Sequence, residues 1–276
     1  MRSCSRRAGN PERRVPAWAL AAAALALGAV ATSAVAWNRP VPETYGRVML
    51  ENASRRAGVP TVAFDHWRHR SRFTCRLCHV DVGFAMGAGA TGISAATNRD
   101  HFHCGACHDG KATYLGKPIF PACSGAKKLD DAPACRRCHN TPDPGKLEKE
   151  YEEFASKLPR DALGLVDWEK AEAERLVRPL DYLEGASVKR KPLEMSREVA
   201  IESKAGWMSD IIFSHKKHTV WNGCEVCHPD IFPRTNAGGN HYTMLQIANG
   251  EYCGACHDKV AFSLADCGRC HAKPVR

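Results

Sequence analysis

One five-residue pattern, Cys-x-x-Cys-His, occurs six times and governs what this chain can fold into. The copies are Cys75/Cys78/His79, Cys104/Cys107/His108, Cys135/Cys138/His139, Cys224/Cys227/His228, Cys253/Cys256/His257 and Cys267/Cys270/His271. They use twelve of the 14 cysteines. Two thiols separated by two residues reach one edge of a porphyrin and add across its vinyl groups. The histidine directly after them then ligates the iron from the face of the ring, which is how c-type haem is attached. Disulfides, zinc sites and redox dithiols also use paired cysteines, but none of them requires that histidine. With 13 histidines in 276 residues, six chance placements have negligible probability. Six covalently attached haems c are expected, held by the twelve cysteines and ligated by His79, His108, His139, His228, His257 and His271.

Composition agrees. Apolar residues at 44% and charged residues at 25% suit a folded soluble chain. Six tryptophans, six methionines and nine phenylalanines are a thin core for this length, and flat apolar haems would fill the rest. The net charge is +9, of which residues 1–36, with five arginines and one glutamate, hold +4. No Lys/Arg stripe interleaved with aromatics appears, so nucleic acid is not an expected partner. Six haems bring about −12 in ionised propionates, and the surplus lysines and arginines are expected to pair with them.

Seven histidines stand outside the motifs: His66, His69, His101, His103, His215, His218 and His241. All lie in the two cysteine-rich regions, and residues 140–214 contain neither cysteine nor histidine. Surface histidines would not segregate in this way. Six irons with histidine on both faces need six more imidazoles, and the supply meets that demand with one spare.

The two regions are copies. Advancing the numbering by 149 carries Phe64 onto Phe213, His66 onto His215, His69 onto His218 and Cys75 onto Cys224. The run Cys-Gly-Ala-Cys-His-Asp at 104–109 returns at 253–258. Such a register marks a repeated structural unit. The copies differ at their third motif: Cys135 follows Cys104 by 31 residues, whereas Cys267 follows Cys253 by 14. The first copy thus carries an insertion, which contains Cys123, expected to be an unpaired thiol.

Phe-x-His-x-x-His, then Cys-x-x-Cys-His nine residues after the first histidine, then two more such motifs, resembles the c7-type triheme cytochrome module of the cytochrome c3 family. The resemblance covers about 63–141 and 209–276. It implies that the first histidine of His-x-x-His serves the first haem and the second serves the second haem. Carried over, His66 pairs with His79, His69 with His108, His215 with His228 and His218 with His257. Residues i and i+3 share a helix face, so haems pinned to one short turn must lie close together. For the third haems the resemblance favours His101 over His103; His241, twelve residues before Cys253 and off the family's pattern, is favoured over Met244 on ligand type. A His/Met haem would have a higher potential than a bis-His one.

The implied fold is mainly α with much irregular coil: two haem-cored modules joined by a helical connector. The expected divisions are a leader at 1–36, an N-terminal arm at 37–62, modules at 63–141 and 209–276, and the connector at 142–208. The leader is Arg-rich to residue 16, then uncharged to Trp37, with Ala34-Val35-Ala36 as a small-x-small cleavage site. That is a secretory signal peptide, or an N-terminal membrane anchor if it is retained. Either places the cysteines outside the cytoplasm, in the periplasm or at the cell surface. In the connector, Leu147, Tyr151, Phe154 and Leu158 recur at helical spacing before Pro159. Asp167 is an expected N-cap for a helix from Trp168 to about Val177. The whole connector reads as a spacer.

A haem iron with two protein ligands has no vacancy for substrate. The expected function is electron transfer with redox partner proteins, such as other cytochromes or membrane quinol-linked donors. A multihaem reductase with one open iron is the rival. The sequence leaves the oligomeric state open.

Overall fold

The computed structural model describes residues 46–123, 135–139, 144–191, 195–236 and 238–273. The leader at 1–36, with its cleavage site, lies outside the described residues, as does the start of the arm. Pro40–Arg276 forms one compact unit. Among the described residues no helix is long and apolar enough to cross a membrane.

Strand β1 (Arg47–Leu50) leads into helix α1 (Asn52–Ala57), which ends at the left-handed Gly58. Strand β2 (Val62–Asp65) returns antiparallel to β1, with Val48 opposite Phe64, and runs directly into α2 (His66–Arg70). A π-helical turn, Leu77–Asp81, carries the end of the first motif. Helix α3 (Ala95–Arg99) begins in a capping box between Ser94 and Thr97 and precedes a 3-10 turn, His103–Ala106. The short pair β3 (Thr113–Tyr114) and β4 (Lys117–Pro118) follows.

The connector holds α4 (Pro144–Ala155) and α5 (Trp168–Ala173). Asp167 caps α5 as expected, its carboxylate accepting from the Lys170 amide at 3.1 Å. The helix stops four residues short of Val177, because Arg175 takes a positive φ of 58°.

The second module repeats the first. Strand β5 (Glu198–Ile201) pairs antiparallel with β6 (Ile211–Ser214), Val199 opposite Phe213, and β6 enters α6 (His215–Asn222). Helix α7 (Met244–Ala248) starts in a capping box between Thr243 and Gln246, and a 3-10 turn, Tyr252–Ala255, follows. Helix α8 (Cys267–Cys270) carries the last motif.

The chain is therefore mixed helix and coil with short strands, not simply helix and coil. β1 and β5 are only four residues each, too short to show period-2 alternation. They lie ahead of the regions that resemble the triheme module, in the arm and in the connector.

The connector is more than a spacer. Its Tyr151, Ala155, Leu158, Val166, Trp168, Ala171 and Val177 form the main side-chain core, closed by Trp67 of α2. A smaller cluster packs Leu183 against Phe73 and Leu77. The Trp67 ring lies 5.7 Å from that of Tyr151, so Tyr151 and Trp168 are packing residues here. Arg76, only 4% exposed, clamps the end of the connector onto the first motif through Asp181 (2.7 Å) and Asp81 (2.9 Å). Arg190 shares Asp81 at 2.9 Å. By contrast, Val226 and Ile247 are the only buried hydrophobic residues described in the second module. A module of that size without a side-chain core needs another apolar filling.

Candidate haem centres

Each module is built outward from one phenylalanine. The Phe64 ring meets His66 edge-on at 4.9 Å and stacks on His69 at 4.3 Å. Phe213 repeats this with His215 and His218 at 4.9 and 4.3 Å. The strand delivers the phenylalanine, the helix begins at the next residue but one, and i, i+3 spacing splays the two imidazoles around it.

Motif histidines face three of these four imidazoles. Ring centres are 6.5 Å apart for His66 and His79, 6.5 Å for His69 and His108, and 6.4 Å for His218 and His257. An imidazole nitrogen sits about 2.0 Å from its metal and roughly 1.1 Å from its own ring centre, so two imidazoles on opposite sides of one ion stand about 6.2 Å apart. The three measured separations are compatible with one metal ion between each pair. The angle between the two ring planes is 6° for His66 and His79, 63° for His69 and His108, and 60° for His218 and His257.

The far nitrogens are tied down. Nδ1 donates to the carbonyl of Phe84 from His79 (2.8 Å), of Phe120 from His108 (2.8 Å) and of Pro60 from His139 (2.9 Å). In the second module the acceptors are Phe232 for His228 (2.6 Å), Phe262 for His257 (3.1 Å) and Ser209 for His271 (2.6 Å). His69 bonds to Asp65 O, His218 to Ser214 O and His66 to Gly46 O. A carbonyl has no proton to give, so Nδ1 carries the hydrogen and Nε2 keeps its lone pair for a metal, the usual outer support of a ligand histidine. Burial holds His69 and His257 down to about 4, and also lowers His66, His79, His108 and His218. They are neutral at pH 7, as ligands must be. The carbonyls left no direct trace in the sequence, but a phenylalanine four or five residues after His79, His228 and His257 marks three of them.

One cavity of about 3190 Å³ runs through both modules, several times the 300–1,000 Å³ or so of a single-ligand pocket. All motif cysteines except Cys224 line it, as do His66, His69, His79, His108, His139, His218, His257 and His271. No described cysteine is in a disulfide, Cys123 included. Burial pushes Cys78, Cys104 and Cys256 up to about 12 and Cys107, Cys227 and Cys253 up to about 11. A redox dithiol needs the opposite shift. Among the described residues no three His, Cys, Asp or Glu side chains converge as a zinc site requires. The residues present fit covalent haem.

Other candidates are placed differently. His101 is exposed and outside the cavity, whereas His103 lines it, half-buried, with no acceptor for Nδ1 among the described residues. Tyr252 takes the place of His103 in the second copy, with φ of 49° against 50°. His241 and Met244 are both exposed, but only Met244 is among the residues lining the cavity. His215 and His228 are not among the lining residues, and Nδ1 of His215 is buried without an acceptor among those described.

The sequence model of the family described as cytochrome c7 and related cytochrome c matches residues 62–140 and 211–272, together more than half of the chain. The chain belongs to that family: it is a multihaem c-type cytochrome, a haem-binding electron-transfer protein with tandem c7-type modules. Among solved structures, a c7-type three-heme cytochrome domain is 38% identical over 29% of this chain and 99% of its own, with a TM-score of 0.26. The C-terminal hexaheme fragment of GSU1996 is 23% identical over 82% of this chain and 96% of its own, with a TM-score of 0.25. The N-terminal hexaheme fragment of GSU1996 is 22% identical over 82% and 98%, with a TM-score of 0.24. None of the curated proteins matches.

Proposed function

We propose that the chain is an exported hexahaem electron carrier, working in the periplasm or at the cell surface. The observation that carries this reading is the spacing of the facing imidazoles, 6.4–6.5 Å in three pairs. Haem supplies the one-electron couple of its iron. The protein would supply imidazole nitrogens to hold that iron and carbonyls that fix their orientation. An iron so enclosed offers no position to a substrate, which favours a carrier over a catalyst.

The proposed pairs are His66 with His79, His69 with His108, His215 with His228 and His218 with His257. For the third haems, cavity lining favours His103 over His101 beside His139, and Met244 over His241 beside His271. The acceptors and donors would be other redox proteins that meet exposed haem edges.

The reductase reading has one observation behind it. The second module puts Tyr252 where the first has His103, so the haem on Cys267/Cys270 has no imidazole from the repeat. Two measurements decide. Intact mass should show six haems on the mature chain, beginning near Trp37 if the leader is cleaved. Carbon monoxide should then bind the reduced protein weakly, because saturated irons exclude it. A full response from one haem in six would identify an open iron and favour the reductase.

A further inference from the structure

One position sets the third motif of each module apart from the other four. The residue before its second cysteine is arginine, Arg137 between Cys135 and Cys138 and Arg269 between Cys267 and Cys270, where the other motifs have Leu77, Ala106, Val226 and Ala255. Both arginines lie over a phenylalanine. The Arg137 guanidinium carbon is 4.8 Å from the ring centre of Phe120, and that of Arg269 is 4.4 Å from the ring centre of Phe262.

Each phenylalanine serves the histidine of the second motif. The Phe120 ring packs on His108 at 4.4 Å, and its carbonyl accepts from Nδ1 of the same imidazole at 2.8 Å. Phe262 does both for His257, at 4.3 Å and 3.1 Å. The ring planes cross at 57° in the first module and 64° in the second.

The two phenylalanines are not copies of each other. Phe120 follows His108 by twelve residues and Phe262 follows His257 by five, and the 149-residue register carries Phe120 onto Arg269. Different stretches of chain thus reach the same stack of guanidinium, benzene ring and imidazole. A contact that the duplication did not supply, yet both copies make, points to a requirement of the centre.

A flat cation is attracted to the face of an aromatic ring, so each arginine pins its phenylalanine. The carbonyl of that phenylalanine is the outer support that orients the imidazole. Arg269 is itself seated on the connector, with Asp161 at 3.7 Å and Asp167 at 3.8 Å.

We propose, resting on the six-haem reading, that Arg137 and Arg269 are positioning residues for the neighbouring haem. Each stands in the motif that attaches the third haem and holds, through Phe120 or Phe262, the imidazole that serves the second. The orientation of one haem's ligand is thereby fixed from the attachment site of the next.

The test is paramagnetic NMR of the oxidised holoprotein, after intact mass has fixed the haem number. Haem methyl shifts, assigned haem by haem, report how the axial imidazoles are turned. Arg137→Gln should move the methyl shifts of the haem on Cys104/Cys107, and Arg269→Gln those of the haem on Cys253/Cys256. Phe120→Leu removes the ring, keeps the backbone carbonyl and lies in no motif. It should move the haem on Cys104/Cys107 as Arg137→Gln does, and the double variant should move it no further, because the two side chains act as one device. A wild-type mass short of six haems overturns the haem reading and this one with it. With six haems present, shifts confined to the haem on Cys135/Cys138 in Arg137→Gln, or fully additive effects in the double variant, overturn the positioning role alone.

Discussion

The backbone carbonyl of Asn98 occupies the space that a side chain on Gly105 would need: a Cβ there would overlap that oxygen and come within 2.8 Å of the Asn98 Cα. Ile247 and Gly254 repeat the relationship in the second module, where the Cβ would overlap the Ile247 oxygen and lie 2.8 Å from its carbonyl carbon. Helices α3 and α7 thus end against the spacer residues of the second motif in each copy. The glycine of Cys-Gly-Ala-Cys-His is there for close approach, since neither Gly105 nor Gly254 has a positive φ.

Gly105→Ala should therefore drive α3 off the motif, because backbone cannot rotate away as a side chain would. Overpacking of this kind costs about 1–3 kcal/mol or more. The expected result is a lower melting temperature and loss of the haem on Cys104/Cys107, read by mass. Gly268→Ala, whose Cβ meets nothing within 4 Å, should leave both unchanged.

Ligand crossing within a module is directly testable. His218→Ala should make the haem on Cys253/Cys256 high-spin while the haem on Cys224/Cys227 stays low-spin, and His69→Ala should do the same to the haem on Cys104/Cys107. Haem-resolved NMR checks both. A high-spin signal on the sequence-adjacent haem instead would reverse the assignment.

Removing Arg76 should cost stability. It is buried between Asp81 and Asp181, and loss of one member of a buried ion pair costs about 3–5 kcal/mol because the partner is left uncompensated. Asp181 is 47% exposed, so water softens the loss and Arg76→Ala should fall at about 3 kcal/mol, the low end. Denaturant unfolding of the holoprotein measures it. An unchanged midpoint would show that the clamp carries no stability.

The last haem of the second module distinguishes Met244 from His241. Met244→Ala should open its iron and give a carbon monoxide response from one haem in six, whereas His241→Ala should give none. Thioether is the weaker ligand, so a small response is expected in the unaltered protein as well. The reverse order of the two variants would return the site to His241.

Six repeats of Cys-x-x-Cys-His, and a copy displaced by 149 residues, determined the cofactor class, the family and the tandem organisation. They are local patterns: covalent attachment needs two thiols and an imidazole within five residues, and nothing distant can supply them. The facing of His66 with His79, and of His69 with His108, was legible only through the resemblance. Tertiary structure alone decided the rest. Backbone carbonyls that orient imidazoles have no residue type to betray them. The exposure that separates His103 from His101 depends on which way a turn at φ of 50° directs its side chain. The connector looked like a spacer because its apolar residues fit one helix face, yet their partner, Trp67, lies on a helix 84 residues before Tyr151. Contacts of that span arise from packing, and packing also brings Arg70, Trp168 and Trp221 together where the modules close.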